Sequence, residues 1–333
     1  MSDFRQRLEE FLNRENQPLA IEQLTPDAST REYFRVTWNG DTAIACVYPE
    51  PFVESEQSYL DVTRLFAASG LPVAKILKFD EPLGVIVQED FGDRILRDTL
   101  IEMSEIERSG LIDRAIELIA KIQAGTRLAY ESDSIAARLK FDSEKLLWEL
   151  NFFRTHYFET LNDRPLSAEE NSLLDAEFAE LAAELEGRAR VLCHRDFHAA
   201  NLMVTDDGEL KIIDHQDARI GSAAYDLVSL LLDRITEPPS AEWLAEKRRY
   251  LLDRRAELGL ETLDEADFAY EFRLQTIQRC LKANGTFSFQ SVNRGKTYFV
   301  PFIRPMFEIV LRAAENLGRF PTLQAIIRRE LAG

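Results

Sequence analysis

Along the first ninety residues the apolar positions change rhythm several times. Phe4, Leu8, Phe11 and Leu12 recur at helical spacing inside a charge-rich opening and predict an amphipathic helix. Tyr33 to Val36, Thr42 to Tyr48, Val73 to Phe79 and Val85 to Glu89 are short runs rich in β-branched and aromatic residues. Asn39-Gly40, Pro72 and Pro82-Leu83-Gly84 bound them, so antiparallel strands are expected. Between them, Glu54 to Ala68 sets Tyr59, Val62, Leu65 and Phe66 on one face, and Gly70 supplies the stop signal of a helix.

From Arg94 onward the period is mostly helical, with Leu111, Ala115, Ile116, Leu118, Ile119 and Ile122 in one stripe and Leu146, Leu150 and Phe153 in another. Residues 191 to 217 are the exception: short strands and loops, with Asp206-Asp207-Gly208 as a hairpin turn. Helical spacing resumes at Ala224 and runs to the end, with breaks expected at Glu237-Pro238-Pro239 and near Gly285 to Gly295. No internal repeat or low-complexity tract interrupts the pattern. The expectation is an α+β chain of two lobes: a small antiparallel β lobe with its opening helix over 1–89, a link over 90–93, and a larger, mostly helical lobe over 94–333.

Composition narrows the class. Of 333 residues, 40 are Lys or Arg and 58 are Asp or Glu, a formal net charge of −18. That balance disfavours a nucleic-acid groove, which needs clustered cations, and better suits a neutral or cationic small substrate. The hydrophobic share of 45% and charged share of 29% are ordinary for a globular chain and argue against disorder. Cys46, Cys193 and Cys280 are odd in number, far apart and without ligand spacing, so they read as reduced core residues. The opening lacks the basic start and apolar centre of a signal peptide, and no run approaches a membrane span. A cytoplasmic protein with no membrane or obligate protein partner is expected.

The chemistry concentrates in His194-Arg195-Asp196-Phe197-His198-Ala199-Ala200-Asn201, with Asp214 thirteen residues after Asn201 at the end of an apolar strand. Phosphoryl transfer needs a carboxylate to orient the attacking hydroxyl and accept its proton, and hard oxygen ligands to hold Mg²⁺ against nucleotide phosphates. In this pattern Asp196 is the base, and Asn201 and Asp214 are the metal ligands.

The HRDFHxxN segment followed by IIDHQDA resembles the catalytic motif of aminoglycoside phosphotransferases and choline kinases, and Ala224-Tyr225-Asp226-Leu227 extends the likeness. DASTREYFRV (27–36), VQEDFGDR (87–94), HRDFHAANLM, IIDHQDARIGSAAYDLVSLL and IQRCLKANGTF (277–287) are nearer still to the anomeric N-acetylmuramate/N-acetylglucosamine kinases of bacterial cell-wall recycling. The resemblance implies a bilobal protein-kinase-like fold with ATP as co-substrate, Mg²⁺ as cofactor and the C1 hydroxyl of a sugar as acceptor in peptidoglycan recycling. Other readings remain: an aminoglycoside or amino-alcohol (choline-like) phosphotransferase, a protein kinase, or a non-catalytic nucleotide-binding pseudokinase. His198 and the lack of a recognisable activation segment after Asp214 count against a protein kinase.

Two departures from ordinary kinases stand out. The lysine that grips the phosphates from the third strand has no counterpart, and Cys46 stands near its place, leaving phosphate neutralisation to Mg²⁺ and to Arg31 or Arg35. This absence is the support for the pseudokinase reading. The Asp27-Ala28-Ser29-Thr30-Arg31 turn replaces a glycine-rich loop; it either presents the backbone N–H groups of Ser29, Thr30 and Arg31 to phosphate or is an ordinary hairpin. Asp90-Phe91-Gly92 spells a kinase metal triplet but precedes the HRD segment, so it reads as the link between lobes, with Gln88, Glu89 and Asp90 beside the adenine ring.

On the acceptor side the alternatives are wider. Arg279, Lys282 and Arg294 are cations suited to the lactyl carboxylate of N-acetylmuramate, or simply solvated charges. Asp217 either bonds a sugar hydroxyl or caps a turn. His198 either braces the loop or sets the polarity of the site, whereas His194 and Asp226 are expected to brace it. Phe287, Phe289 and Tyr298 read as core before pocket.

Overall fold

The computed structural model describes residues 3–24 and 30–333. Compactness divides it into two units, one formed by the chain up to Met103 together with Ala199–Asp217, the other by Ser104–His198 and Ala218–Gly333.

In the first unit, strands β1 (Ile21–Leu24), β2 (Glu32–Trp38), β3 (Asp41–Val47), β4 (Ile76–Asp80) and β5 (Val85–Glu89) form one antiparallel sheet in the order β1-β2-β3-β5-β4. Alternation along the strands gives the sheet two faces of different character. Phe34, Val36 and Trp38 of β2, Ala43, Ala45 and Val47 of β3, and Val85 and Val87 of β5 pack against Leu8, Phe11 and Leu12 of helix α1 (Asp3–Arg14). Phe11 stacks on Trp38 with centroids 5.8 Å apart. Burying each such side chain is worth about 1.5–3 kcal/mol, which is what holds a charge-rich helix on the sheet. The other face carries Tyr33 and Arg35, opposite Cys46 and Ile44 of β3, which in turn face Ile86 and Gln88 of β5. Helix α2 (Ser58–Ala68) places Tyr59 and Leu60 in a cluster with Ile86. It ends before Gly70, whose φ of +70° is the left-handed conformation that glycine adopts without strain.

A short helix α3 (Leu96–Glu102) and the hairpin Leu202–Val204/Leu210–Ile212 complete this unit. The hairpin is tied on both edges: Val204 N–H donates to the Arg94 carbonyl at 2.8 Å, and Ile212 N–H to that of Pro72 at 2.9 Å. These bonds are why 199–217 and 94–103 cluster with the β sheet, whereas lobes of 1–89 and 94–333 are the division expected from the sequence.

The second unit is built from α4 (Glu105–Ala124), α5 (Thr126–Glu131), α6 (Ile135–Arg138), α7 (Ser143–Arg154), α8 (Ala168–Arg188), α9 (Tyr225–Leu232), α10 (Ala241–Glu257), α11 (Glu265–Asn293), α12 (Ile303–Leu317) and α13 (Pro321–Ala332). The antiparallel strand pair Val191–Cys193/Arg219–Gly221 lies in the same unit. A capping box between Ser104 and Glu107 starts α4, and its Leu111–Ile122 stripe is buried as the period predicts. Among the described residues no helix is long and apolar enough to cross a membrane, and Cys46, Cys193 and Cys280 are buried free thiols.

Two elements differ from the sequence expectation. Strand β1 carries two exposed polar residues in its centre; as an edge strand it needs only its ladder with β2, so its apolar signal is weak. The run from Val73 enters the sheet only at Ile76, with a single bridge at Val73 before it. Helix α11 passes through Gly285 and ends at Asn293, inside the stretch where the break is expected, and Gly285 itself is a packing contact: a Cβ there would lie 2.6 Å from the Phe153 Cα.

Candidate active site

In the second unit the strand Val191–Cys193 delivers a loop whose backbone is pinned by Asp226. This buried carboxylate, in the first turn of α9, accepts the His194 N–H at 2.7 Å and the Arg195 N–H at 3.1 Å. Arg195 adopts φ +86°, a conformation unfavourable for a side-chain-bearing residue, and the paired bonds hold it there. Burial pushes the Asp226 carboxyl up to about 6 even though His194 and the two amides favour its charge. His194 and Asp226 thus brace the loop, as expected.

The turn directs Asp196 into a group of cations. Its Oδ2 lies 3.4 Å from Arg195 Nη1, and its Oδ1 lies 3.4 Å from Arg279 Nη2 and 3.3 Å from Lys282 Nζ. Arg279 and Lys282 are three apart on α11 and so share a helix face. Arg279 is aimed by Ser229 of α9, whose Oγ accepts its Nε–H at 2.9 Å. Burial alone would raise the Asp196 carboxyl, but Lys282, Arg195 and Arg279 outweigh it and hold the group well below the usual carboxylate range. Burial and Arg279 together lower the Lys282 ammonium. Burial lowers His198 as well, which favours the neutral imidazole near pH 7. Among the described residues its Nδ1 has no partner, while its backbone N–H closes the loop onto the Asp196 carbonyl at 2.9 Å. Arg294, by contrast, is exposed at the C-terminal cap of α11.

In the first unit Asn201 and Asp214 come together. Asn201 closes a 3₁₀ turn, its carbonyl accepts the Ile213 N–H at 3.1 Å, and its Nδ2 lies 3.5 Å from Asp214 Oδ2. Asp214 has φ +61°; its Oδ1 accepts Gln216 Nε2 at 2.8 Å and pairs with Arg31 Nη2 at 3.5 Å. An amide and a carboxylate side by side are hard donors, and they fit a Mg²⁺ ion that keeps most of its coordination for phosphate oxygens and water. Among the described residues no group of three or more His, Cys, Asp or Glu side chains is placed to hold a metal ion. Asp217 is half-buried in the turn that follows.

A sequence profile of the phosphotransferase enzyme family matches residues 20–264. The chain belongs to that family. An N-acetylmuramate/N-acetylglucosamine kinase of Neisseria meningitidis serogroup B is 30% identical over 303 residues, covering 90% of this chain and 87% of the relative. One of the same name from Caulobacter vibrioides is 30% identical over 298 residues, covering 86% and 77%. Among solved structures, choline kinase LicA from Streptococcus pneumoniae superposes with a TM-score of 0.57 at 16% identity, over 96% of this chain and 100% of that one. The ADP-bound aminoglycoside phosphotransferase APH(2'')-Ib gives 0.56 at 14% identity, over 93% and 98%. The chain therefore has the protein-kinase-like fold of these enzymes and is itself a phosphotransferase.

The remaining candidates of this phosphotransferase sort by position. Ser29 lies outside the described residues, and Thr30 is exposed at the start of the segment leading into β2. Gln88 and Glu89 close β5; the Gln88 Oε1 accepts the Tyr59 hydroxyl, and the Glu89 N–H donates to the Lys75 carbonyl at 3.0 Å. Asp90 is committed through its side chain: Arg35 Nε donates to Oδ2 at 2.7 Å, and the Gly92 N–H to Oδ1 at 2.9 Å. Phe287 is core, stacked on Phe299 at 5.0 Å, Phe289 is half-buried, and Tyr298 is exposed.

Sequence reasoning passed over His215, the residue beside Asp214. Its buried ring stacks on Tyr59 at 4.9 Å and Phe66 at 5.3 Å, and Nε2 lies 2.7 Å from Thr63 Oγ1. Thr63 Oγ1 already donates to the Tyr59 carbonyl at 2.6 Å, so it accepts from His215, which fixes the proton on Nε2. Helix α2 thereby grips the segment that carries Asp214. The signal was present in the apolar stripe of α2, but only folding shows what the stripe meets.

Proposed function

We propose that this phosphotransferase moves the γ-phosphoryl group of ATP to a sugar hydroxyl, with C1 of N-acetylmuramate or N-acetylglucosamine as acceptor, in the cytoplasmic recycling of cell-wall sugar. The names of the two curated relatives support the acceptor, and the ADP in a fold neighbour supports the nucleotide. The observation that carries the reading is the setting of Asp196. A carboxylate held ionised by three cations is ready to accept a hydrogen bond from an acceptor hydroxyl at any physiological pH. The same cations favour an acceptor that is neutral or anionic and disfavour a polycationic aminoglycoside.

In this mechanism Asp196 orients the hydroxyl for in-line attack and takes its proton as the bond to phosphorus forms. The cations make Asp196 a weak base, so orientation is its larger contribution, in keeping with a loose transition state in which proton transfer is late. Asn201 and Asp214 are the residues that would hold Mg²⁺, which when bound neutralises charge on the β- and γ-phosphates. Gln88, Glu89 and Asp90 would line the adenine, with backbone groups serving where the Asp90 side chain is taken by Arg35.

Incubation with ATP and Mg²⁺ and, separately, with N-acetylmuramate, N-acetylglucosamine and an aminoglycoside tests this by ³¹P NMR. A new sugar-phosphate resonance coupled to the anomeric proton is the expected product. Phosphate on the aminoglycoside alone would keep the mechanism and move the acceptor class.

A further inference from the structure

A kinase small lobe neutralises the nucleotide phosphates with a lysine on its third strand. Here Cys46 stands on β3, 3% exposed, its thiol pushed up to about 12 by burial, so it is neutral and offers phosphate no charge. The helix that flanks the same sheet face brings Tyr59 to Ile86 and Thr63 to His215. The two cations leading into and along β2 are differently placed. Arg35 is held by two carboxylates, Nε donating to Asp90 at 2.7 Å and Nη2 to Asp93 at 2.7 Å.

Arg31 packs against two rings and pairs with a carboxylate. Its Cζ lies 5.6 Å from the Tyr33 centroid and 5.7 Å from that of Tyr48, and Tyr33 is the cross-strand partner of Cys46. The guanidinium therefore reaches the surroundings of Cys46 from the neighbouring strand. Its side chain is 16% exposed, and its Nη2 is 3.5 Å from Oδ1 of Asp214, whose own side chain is 42% exposed. A planar fork of five N–H donors matches phosphate oxygens as well as carboxylate ones, and aromatic faces hold its plane.

We infer that Arg31 takes the place of the absent third-strand lysine, binding the polyphosphate of the nucleotide and linking it to Asp214. This rests on the nucleotide-dependent transfer proposed above. The tyrosine pair sets the plane of the guanidinium, and the Asp214 contact sets its reach, so the phosphate-binding cation of this chain comes from the segment before β2 instead of from β3.

Calorimetric titration of adenosine, AMP, ADP and ATP, with Mg²⁺ present, into the wild-type chain, Arg31→Ala, Arg31→Lys and Arg31→Ala/Cys46→Lys separates the outcomes. In Arg31→Ala the ADP and ATP affinities should fall by about 10- to 100-fold, as for loss of a charged hydrogen bond, while adenosine changes by less than about 2-fold. Arg31→Lys should retain part of the affinity, and Cys46→Lys should restore part of it in the Arg31→Ala background. Should Arg31→Ala lose its circular dichroism spectrum, Arg31→Gln keeps the stem and planar head and carries the same comparison. ATP affinity unchanged in a folded variant, or an equal loss for adenosine and ATP, overturns the inference and leaves Arg31 a brace for Asp214. A wild-type chain that binds none of the four nucleotides overturns the ATP reading itself, and the inference with it.

Discussion

The carboxylate of Asp226 accepts backbone N–H groups from both His194 and Arg195, at 2.7 and 3.1 Å. It thereby fixes the peptide that aims Asp196, thirty residues earlier in the chain. Asp226→Asn turns an amide NH₂ toward at least one of those donors. A loss of about 1–3 kcal/mol in stability is expected, read from urea unfolding, together with a fall in turnover from the loosened loop.

The same carboxyl gives a pH signature. Its folded pKa is raised by burial to about 6, above the unfolded value, so the folded chain binds this proton more tightly. The stabilisation is complete below about pH 4 and is lost as pH rises through 6, a contribution of about 3 kcal/mol. Asp196 acts in the opposite sense, because its carboxyl is depressed and its contribution is lost as pH falls. The melting temperature of the wild type minus that of Asp226→Asn, followed from pH 4 to 7, should therefore decline with rising pH; a flat difference would refute the assignment.

Asp196→Asn should lower kcat by about 10²–10⁴-fold while nucleotide affinity stays close to that of the wild type. Near-normal turnover in this variant would remove Asp196 from the mechanism. Because its cations keep Asp196 ionised, the wild-type rate should also show no acid limb from this group near the ordinary carboxylate pKa.

Lys282 bears on acceptor choice. Its ammonium touches Asp196, so Lys282→Ala will affect any acceptor. If it also meets the lactyl carboxylate, kcat/KM for N-acetylmuramate should fall about 10-fold further than that for N-acetylglucosamine, the worth of a charge-assisted hydrogen bond. An equal loss for both sugars would place Lys282 with Asp196 alone.

Gly285→Ala tests the passage of α11 against α7. Alanine favours an exposed helix over glycine by about 1 kcal/mol. At Gly285, however, a Cβ would lie 2.6 Å from the Phe153 Cα and 2.8 Å from its N, both backbone atoms with little room to yield. Net destabilisation of about 1–3 kcal/mol is expected, measured as a lowered melting temperature.

Much of this was legible beforehand because local rules dominate where they apply. The period-two runs became β2, β3 and β5, and Gly208 at φ +81° makes the turn of the hairpin around Asp206-Asp207-Gly208. The Leu111–Ile122 stripe became the buried face of α4. The break expected near Gly285 to Gly295 falls at Asn293, and Gly285 stays inside α11, where a close backbone contact requires glycine. Strand β1 escaped notice because pairing, not burial, defines an edge strand.

The sequence by itself determined the chemistry on offer: one HRD carboxylate, one amide, one strand-end carboxylate and no third-strand lysine, each readable because the motif keeps its residues close in the chain. Only the tertiary structure decided their surroundings. Arg279 and Lys282 reach Asp196 from more than eighty residues away, and Arg31 reaches Asp214 across a still longer separation. Such contacts depend on how helices and strands pack, and packing is set by long-range burial that no local spacing encodes.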